Sequence, residues 1–153
     1  MREQQLDLFS ATRISPERRP RVDPRSDELI AADLDDAALV AAIPWASLAE
    51  APALAAEAGR RGLVAAVPAL EQLCRRFAGF GLERAVPEQV AALEALALIG
   101  GSESARTVGR MIAKDIIQGP TRKVAVAVAA QLKSALPVDR PRPAQGCRSK
   151  GAR

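Results

Sequence analysis

The residues with the most specific chemistry in this 153-residue chain are five near its start, Gln5-Leu6-Asp7-Leu8-Phe9. Leu8 and Phe9 are large apolar side chains side by side in a polar neighbourhood. An extended peptide presents them together, and burying each in a pocket is worth about 1.5–3 kcal/mol. Gln5 both donates and accepts hydrogen bonds, which fixes register. Asp7 is small and polar and supports a local turn. That chemistry is recognition of an extended segment rather than catalysis. The same apolar residues also suit a second fate, folding back onto the chain's own helices as a hydrophobic cap, and the residues leave both open.

Catalytic side chains are sparse elsewhere. There is no His, which removes the usual general base and the commonest metal ligand. The two cysteines are Cys74, within a helical pattern, and Cys147, in a Gly- and Arg-containing tail. They make neither a disulfide framework nor a CxxC site. Asp115 is an acid beside an apolar stripe and reads as a solvated helix residue. No catalytic residue, metal site or cofactor is expected.

The elements that carry these residues are helical by composition. Apolar residues make up 48% of the chain but aromatics only 3%, and 32 residues are Ala, the best helix former. Charge is uneven. Residues 1–26 carry a net +2 and residues 136–153 a net +4, against −2 for the part between. A folded reader of nucleic acid carries its basic stripe on the domain. Here the arginines sit in the tails, where they add at most weak, salt-sensitive attraction to phosphates. The N-terminus is charged and lacks a long apolar run, so no signal peptide is expected. The Ala-rich stretches are interrupted by Glu or Pro, so no membrane span is expected. With so few cysteines, the reading is a cytoplasmic protein in a reducing compartment.

Residues 1–26, punctuated by Pro16, Pro20 and Pro24, read as a disordered tail. Residues 27–136 read as an all-α domain, and residues 137–153 as a disordered basic tail. Within the domain, apolar residues at helical spacing place a helix over Asp27 to Ile43, ended by Pro44. Trp45 then plugs the junction as a core residue. Further helices cover Leu48 to Gly59 and Leu63 to Phe77, joined through Arg60-Arg61-Gly62. Gly79 and Gly81 break the chain. The next pair covers Pro87 to Gly100 and Ser102 to Gln118, and Gly119-Pro120-Thr121 opens a last helix to Leu136. Its all-round apolar character implies burial on both sides or an exposed closing face. The pairs repeat. A shift of 38 carries Gly62 onto Gly100, and Leu70, Leu73 and Cys74 onto Val108, Met111 and Ile112. A period of this size with two helices per unit is the pattern of stacked α-solenoids.

The units PALAAEAGRRGLVAAVPALEQLCRRF and PEQVAALEALALIGGSESARTVGRMIAKD resemble HEAT repeats of the short Ala-rich bacterial type, over about residues 48 to 135. The resemblance implies a short α-solenoid of HEAT-like hairpins that binds proteins along a curved surface. The HEAT-fold glycosylases and lyases hold a base or pigment with aromatics, for which only Trp45, Phe77 and Phe80 are available here. The segment Gln5, Leu6, Asp7, Leu8, Phe9 resembles, at every position, the pentapeptide that binds the bacterial DNA sliding clamp. Together the two resemblances imply a non-enzymatic adaptor, tethered to the clamp by Gln5–Phe9 through Ser10 to Ser26, with its helical domain holding a second protein. The alternative is a HEAT-repeat scaffold unrelated to DNA replication or repair, with the N-terminal apolar residues packed on its own fold.

Overall fold

The computed structural model describes residues 24–135. Among these residues every regular element is helical. The helices are α1 (Pro24–Asp33), α2 (Asp36–Ala42), α3 (Glu50–Arg60), α4 (Val67–Arg76), α5 (Pro87–Ile99), α6 (Gly101–Ala113) and α7 (Gly119–Ala135), with 3-10 turns at Ile43–Trp45 and Val64–Ala66. The pentapeptide Gln5–Phe9 and the tail 137–153 lie outside the described residues.

The expected single helix from Asp27 to Ile43 is two helices. The break falls at Leu34-Asp35, where Asp35 caps α2 by accepting the Ala38 N–H at 2.8 Å. A short side-chain acceptor satisfies an amide that the first turn of a helix leaves orphaned. The carbonyls at the end of α1 are satisfied from far along the chain. Arg61 donates to the carbonyl oxygens of Ala32 and Leu34 at 2.8 Å each and to Asp36 at 2.9 Å. A cation at a helix C-terminus also opposes the negative end of its dipole. Pro44 lies inside the 3-10 turn after α2 rather than directly ending a long helix.

Gly62 and Gly100, the pair related by the shift of 38, have φ of 64° and 69°. Each ends a helix in a conformation that a Cβ disfavours. Gly62 closes α3 by a paired motif, its own N–H bonding Gly59 O and the Leu63 N–H bonding Ala58 O. α6 ends by the same motif at Ala113, five residues before the expected Gln118. Here a non-glycine, Asp115 (φ 50°), takes the left-handed position, and the Ile116 N–H reaches Met111 O at 3.1 Å. Asp115 is therefore a cap residue, exposed and paired with Arg122, and not a helix residue.

Helix packing follows the alternation of the sequence. α1 packs on α3, α3 on α5 and α5 on α7, while the turn after α2 packs on α4 and α4 on α6. The core lies between these two rows and includes Leu39, Ile43, Leu70, Leu73, Leu93, Leu96, Met111, Ile117 and Leu132, all 2% exposed or less. The shifted sets share burial. Leu70, Leu73 and Cys74 are buried, as are Val108 and Met111, with Ile112 half-buried. α3 and α5 approach most tightly at Gly59. A Cβ added there would lie 2.9 Å from Ala95 Cα and 3.2 Å from Leu98 Cδ1. α7 buries one face through Thr121, Ala125, Val128 and Leu132 and leaves the other, with Val126, exposed.

Two carboxylates hold charged side chains within each row. Glu71 on α4 is buried and bridges to Arg110 on α6 and to Arg75 on its own helix, at 2.6 Å each. The Arg110 guanidinium, and then Arg75, lowers its pKa against the opposing effect of burial. Glu57 on α3 holds Arg60 and Arg61, also at 2.6 Å each.

Candidate functional site

Among the described residues, two recesses lie between the helices. The larger is a trench of about 660 Å³ over α3. Its floor is Pro52, Ala53 and Ala56, whose short side chains put the backbone of α3 close to solvent. Glu28 of α1 stands on one side and Glu94 and Leu98 of α5 on the other. The volume falls within the roughly 300–1,000 Å³ typical of ligand and peptide clefts. Leu98 is 67% exposed at its rim. The Arg60 end of the trench is electrostatically settled. Hydrogen bonding from Arg60 first, and then from Arg61, holds the Glu57 carboxyl at about 2 in spite of its burial. Glu28 and Glu94 take no ion-pair partner among the described residues, so the walls present net negative charge over an apolar floor.

The second recess is a groove of about 270 Å³ between α1, the 3-10 turn and α3, lined by Ile30, Leu34, Trp45, Leu54 and Glu50. Trp45 is not the core plug that the sequence predicts. It is 78% exposed and stands at the edge of this groove. The reason is a contact made from another helix. Arg76 of α4 donates to the carbonyl oxygens of Pro44 and Ala46 at 2.9 and 2.8 Å. These are the residues on either side of Trp45, both buried. Their backbone is pinned inward, and the side chain between them faces out. Ser47 and Glu50 then begin α3 by a reciprocal cap. Glu50 Oε2 accepts from the Ser47 N–H and hydroxyl at 3.0 and 2.7 Å, and the Glu50 N–H donates to Ser47 Oγ. Two of the four orphan amides of that terminus find partners in this way, and the Ser47 bonds lower the Glu50 pKa.

No group of three His, Cys, Asp or Glu side chains able to hold a metal ion occurs among the described residues. Cys74 is fully buried, and burial pushes its thiol up to about 12, where the reactive thiolate is absent at neutral pH. Phe77 and Phe80 meet edge to face, with centroids 6.4 Å apart, and Phe77 also lies under Arg76. They form a cluster with each other instead of a cleft. No described helix is long and apolar enough to cross a membrane. Gln5, Leu6, Asp7, Leu8 and Phe9 lie outside the described residues, so the structure brings none of them to either recess. No protein family, curated protein or solved structure matches the chain.

The two recesses were hidden in the sequence for one reason. Alanines give no hint of which face is outward until the neighbouring helices rise on either side. The one available signal was compositional. Residues 27–59 carry Asp27, Glu28, Asp33, Asp35, Asp36, Glu50 and Glu57 with no Lys or Arg, which marks this end of the domain as the acidic one.

Proposed function

We propose that this protein is a non-enzymatic adaptor, in which Gln5–Phe9 tethers the chain to the bacterial DNA sliding clamp and the helical domain holds a second protein. The observation that carries the reading is the pentapeptide itself, whose every position fits the clamp-binding pattern. The domain is read as a short α-solenoid of HEAT-like pairs. This draws support from the alternate packing of the helices and from the matched left-handed glycines at Gly62 and Gly100. The trench over α3 is the natural seat for the second protein. Its small-residue floor admits a helix backbone closely, the geometry of helix-in-groove recognition. Its acidic walls favour a partner whose apolar stripe is flanked by Lys or Arg. Tethering raises the effective concentration of that partner at the clamp without any new contact.

The test is binding of a peptide spanning Met1 to Ser15 to a purified bacterial sliding clamp, beside the same peptide with Leu8→Ala and Phe9→Ala. Ordering a free peptide opposes binding, so micromolar-class affinity is expected. Loss of two buried side chains, each worth about 1.5–3 kcal/mol, weakens it by more than tenfold. Equal binding by the two peptides, or none by either, refutes the tether.

A further inference from the structure

The groove beside Trp45 is an apolar site on a domain whose own chain supplies an apolar segment within reach. At about 270 Å³ it falls short of the roughly 300 Å³ at which small-molecule clefts begin, a size suited to the side chains of a peptide. Its lining is Ile30, Leu34, Trp45 and Leu54, with Ile30 59% exposed and Trp45 78% exposed. Both side chains line the same groove and lose water contact together if something fills it.

The chain outside the described residues names the occupant. Before Pro24 the dense apolar cluster is Leu6, Leu8 and Phe9, and residues 136–153 contain no comparable one. The fifteen residues from Phe9 to Pro24 span up to about 50 Å when extended. From Pro24 to Leu34 along α1 is about 15 Å, so the connector is long enough for the cluster to reach the groove. Charge favours the same course. Between the cluster and α1 lie Arg13, Arg18, Arg19 and Arg21 against Glu17 and Asp23, while residues 27–59 hold no base and seven acids, of which Asp36 and Glu57 are already paired with Arg60 and Arg61. A basic connector passing over an acidic face steers the apolar cluster toward the groove.

We infer that Leu6, Leu8 and Phe9 dock in the groove between α1, the 3-10 turn and α3, with Trp45 closing over them, so that the pentapeptide is held by its own domain until a tighter partner takes it. The masking consequence rests on the clamp-binding reading; the docking does not. The connector gives the segment an effective concentration on the order of millimolar at the groove, so a weak contact suffices to occupy it, while a better pocket on another protein displaces it.

Trp45 is the only Trp of the chain and reports its own surroundings. The full-length protein is compared with full-length Leu8→Ala/Phe9→Ala by Trp emission and acrylamide quenching, at several protein concentrations and with no clamp present. Docking predicts blue-shifted emission and severalfold weaker quenching in the wild-type chain, lost in the variant and independent of concentration. Added Met1–Ser15 peptide shifts the variant back toward wild type. Identical emission and quenching in the two chains overturns the inference, whatever the peptide does on the clamp. A shift that grows with protein concentration overturns it too, because the occupant is then a second copy. Far-ultraviolet circular dichroism of both chains controls for folding.

Discussion

Replacing Gly59 by Ala sets two opposed effects against each other at the tightest helix contact of the domain. Ala in place of Gly within a helix gains roughly 0.5–1 kcal/mol from backbone entropy alone. At Gly59 the new methyl would lie 2.9 Å from Ala95 Cα and 3.2 Å from Ala95 Cβ. The nearest atom is backbone, so relief requires α3 and α5 to move apart instead of one side chain turning aside. Overpacking of that kind costs about 1–3 kcal/mol, and the helices concerned form the middle of the α1–α3–α5–α7 row. The net expectation is a loss of up to about 2.5 kcal/mol, centred near 1 kcal/mol, or about 3–6 °C in Tm at that centre for a domain of this size. Gly109 is the internal control. It lies within α6, exposed, and a Cβ there meets nothing within 4 Å, so Gly109→Ala gains about 0.4–1 kcal/mol. Urea titrations followed by circular dichroism at unchanged m-value read both. If Gly59→Ala raises the midpoint as Gly109→Ala does, the close approach of α3 and α5 is not a feature of the protein.

Three further outcomes follow from the charged and buried groups. Glu57 is held at about 2, below its ordinary 4.5. A depressed carboxyl adds stability that is fully present above its unfolded pKa and lost as pH falls through its folded one. Between pH 4.5 and 2 the stability of Glu57→Gln therefore falls less steeply than that of wild type, and above pH 5 the variant is the weaker of the two by urea titration. Arg76→Ala frees the carbonyls of Pro44 and Ala46; a loss of about 1–2 kcal/mol is expected, with lower Trp45 fluorescence anisotropy as the local readout. In a Cys147→Ser chain the remaining thiol, Cys74, is buried and protonated. It reacts with Ellman's reagent only after unfolding, so prompt reaction of the native protein would contradict its burial.

What the residues disclosed in advance tracks how local each determinant is. Gly62 and Gly100 mark helix ends because a left-handed φ is written into the residue type. Spacing puts Val67, Leu70, Leu73, Cys74 and Phe77 on one stripe; the first four are buried and Phe77, at the helix end, is half-buried. The end of α6 was missed because Asp115, not a glycine, takes the left-handed position. The α1–α2 break is hidden because apolar residues keep helical spacing across it, and what makes it is one side-chain cap, from Asp35 to the Ala38 N–H. Trp45 was misplaced because its orientation is set by Arg76, some thirty residues away, through backbone carbonyls that carry no sequence signature. The trench is a still more distant property. Its walls come from α1 and α5 and its floor from α3, and no single segment contains it.

The start of α7 is bound to a loop made much earlier. The Val86 N–H, just before α5, donates to the buried Thr121 Oγ1 at 3.0 Å across 35 residues. Gln89 Nε2, on α5, reaches Ile116 O at 3.4 Å. A Cβ at Gly119 would overlap the Gly81 carbonyl, so the two backbones touch with no side chain between them. For a chain emerging from a ribosome at about 5–20 residues per second, the Val86 N–H is therefore synthesised seconds before its partner Thr121, while Gln89 Nε2 has Cys74 O at 3.0 Å in the meantime. Until Thr121 is out, the first five helices have an unfinished edge. A nascent chain whose emerged part ends between Ile99 and Gly119 would expose that edge until α7 follows.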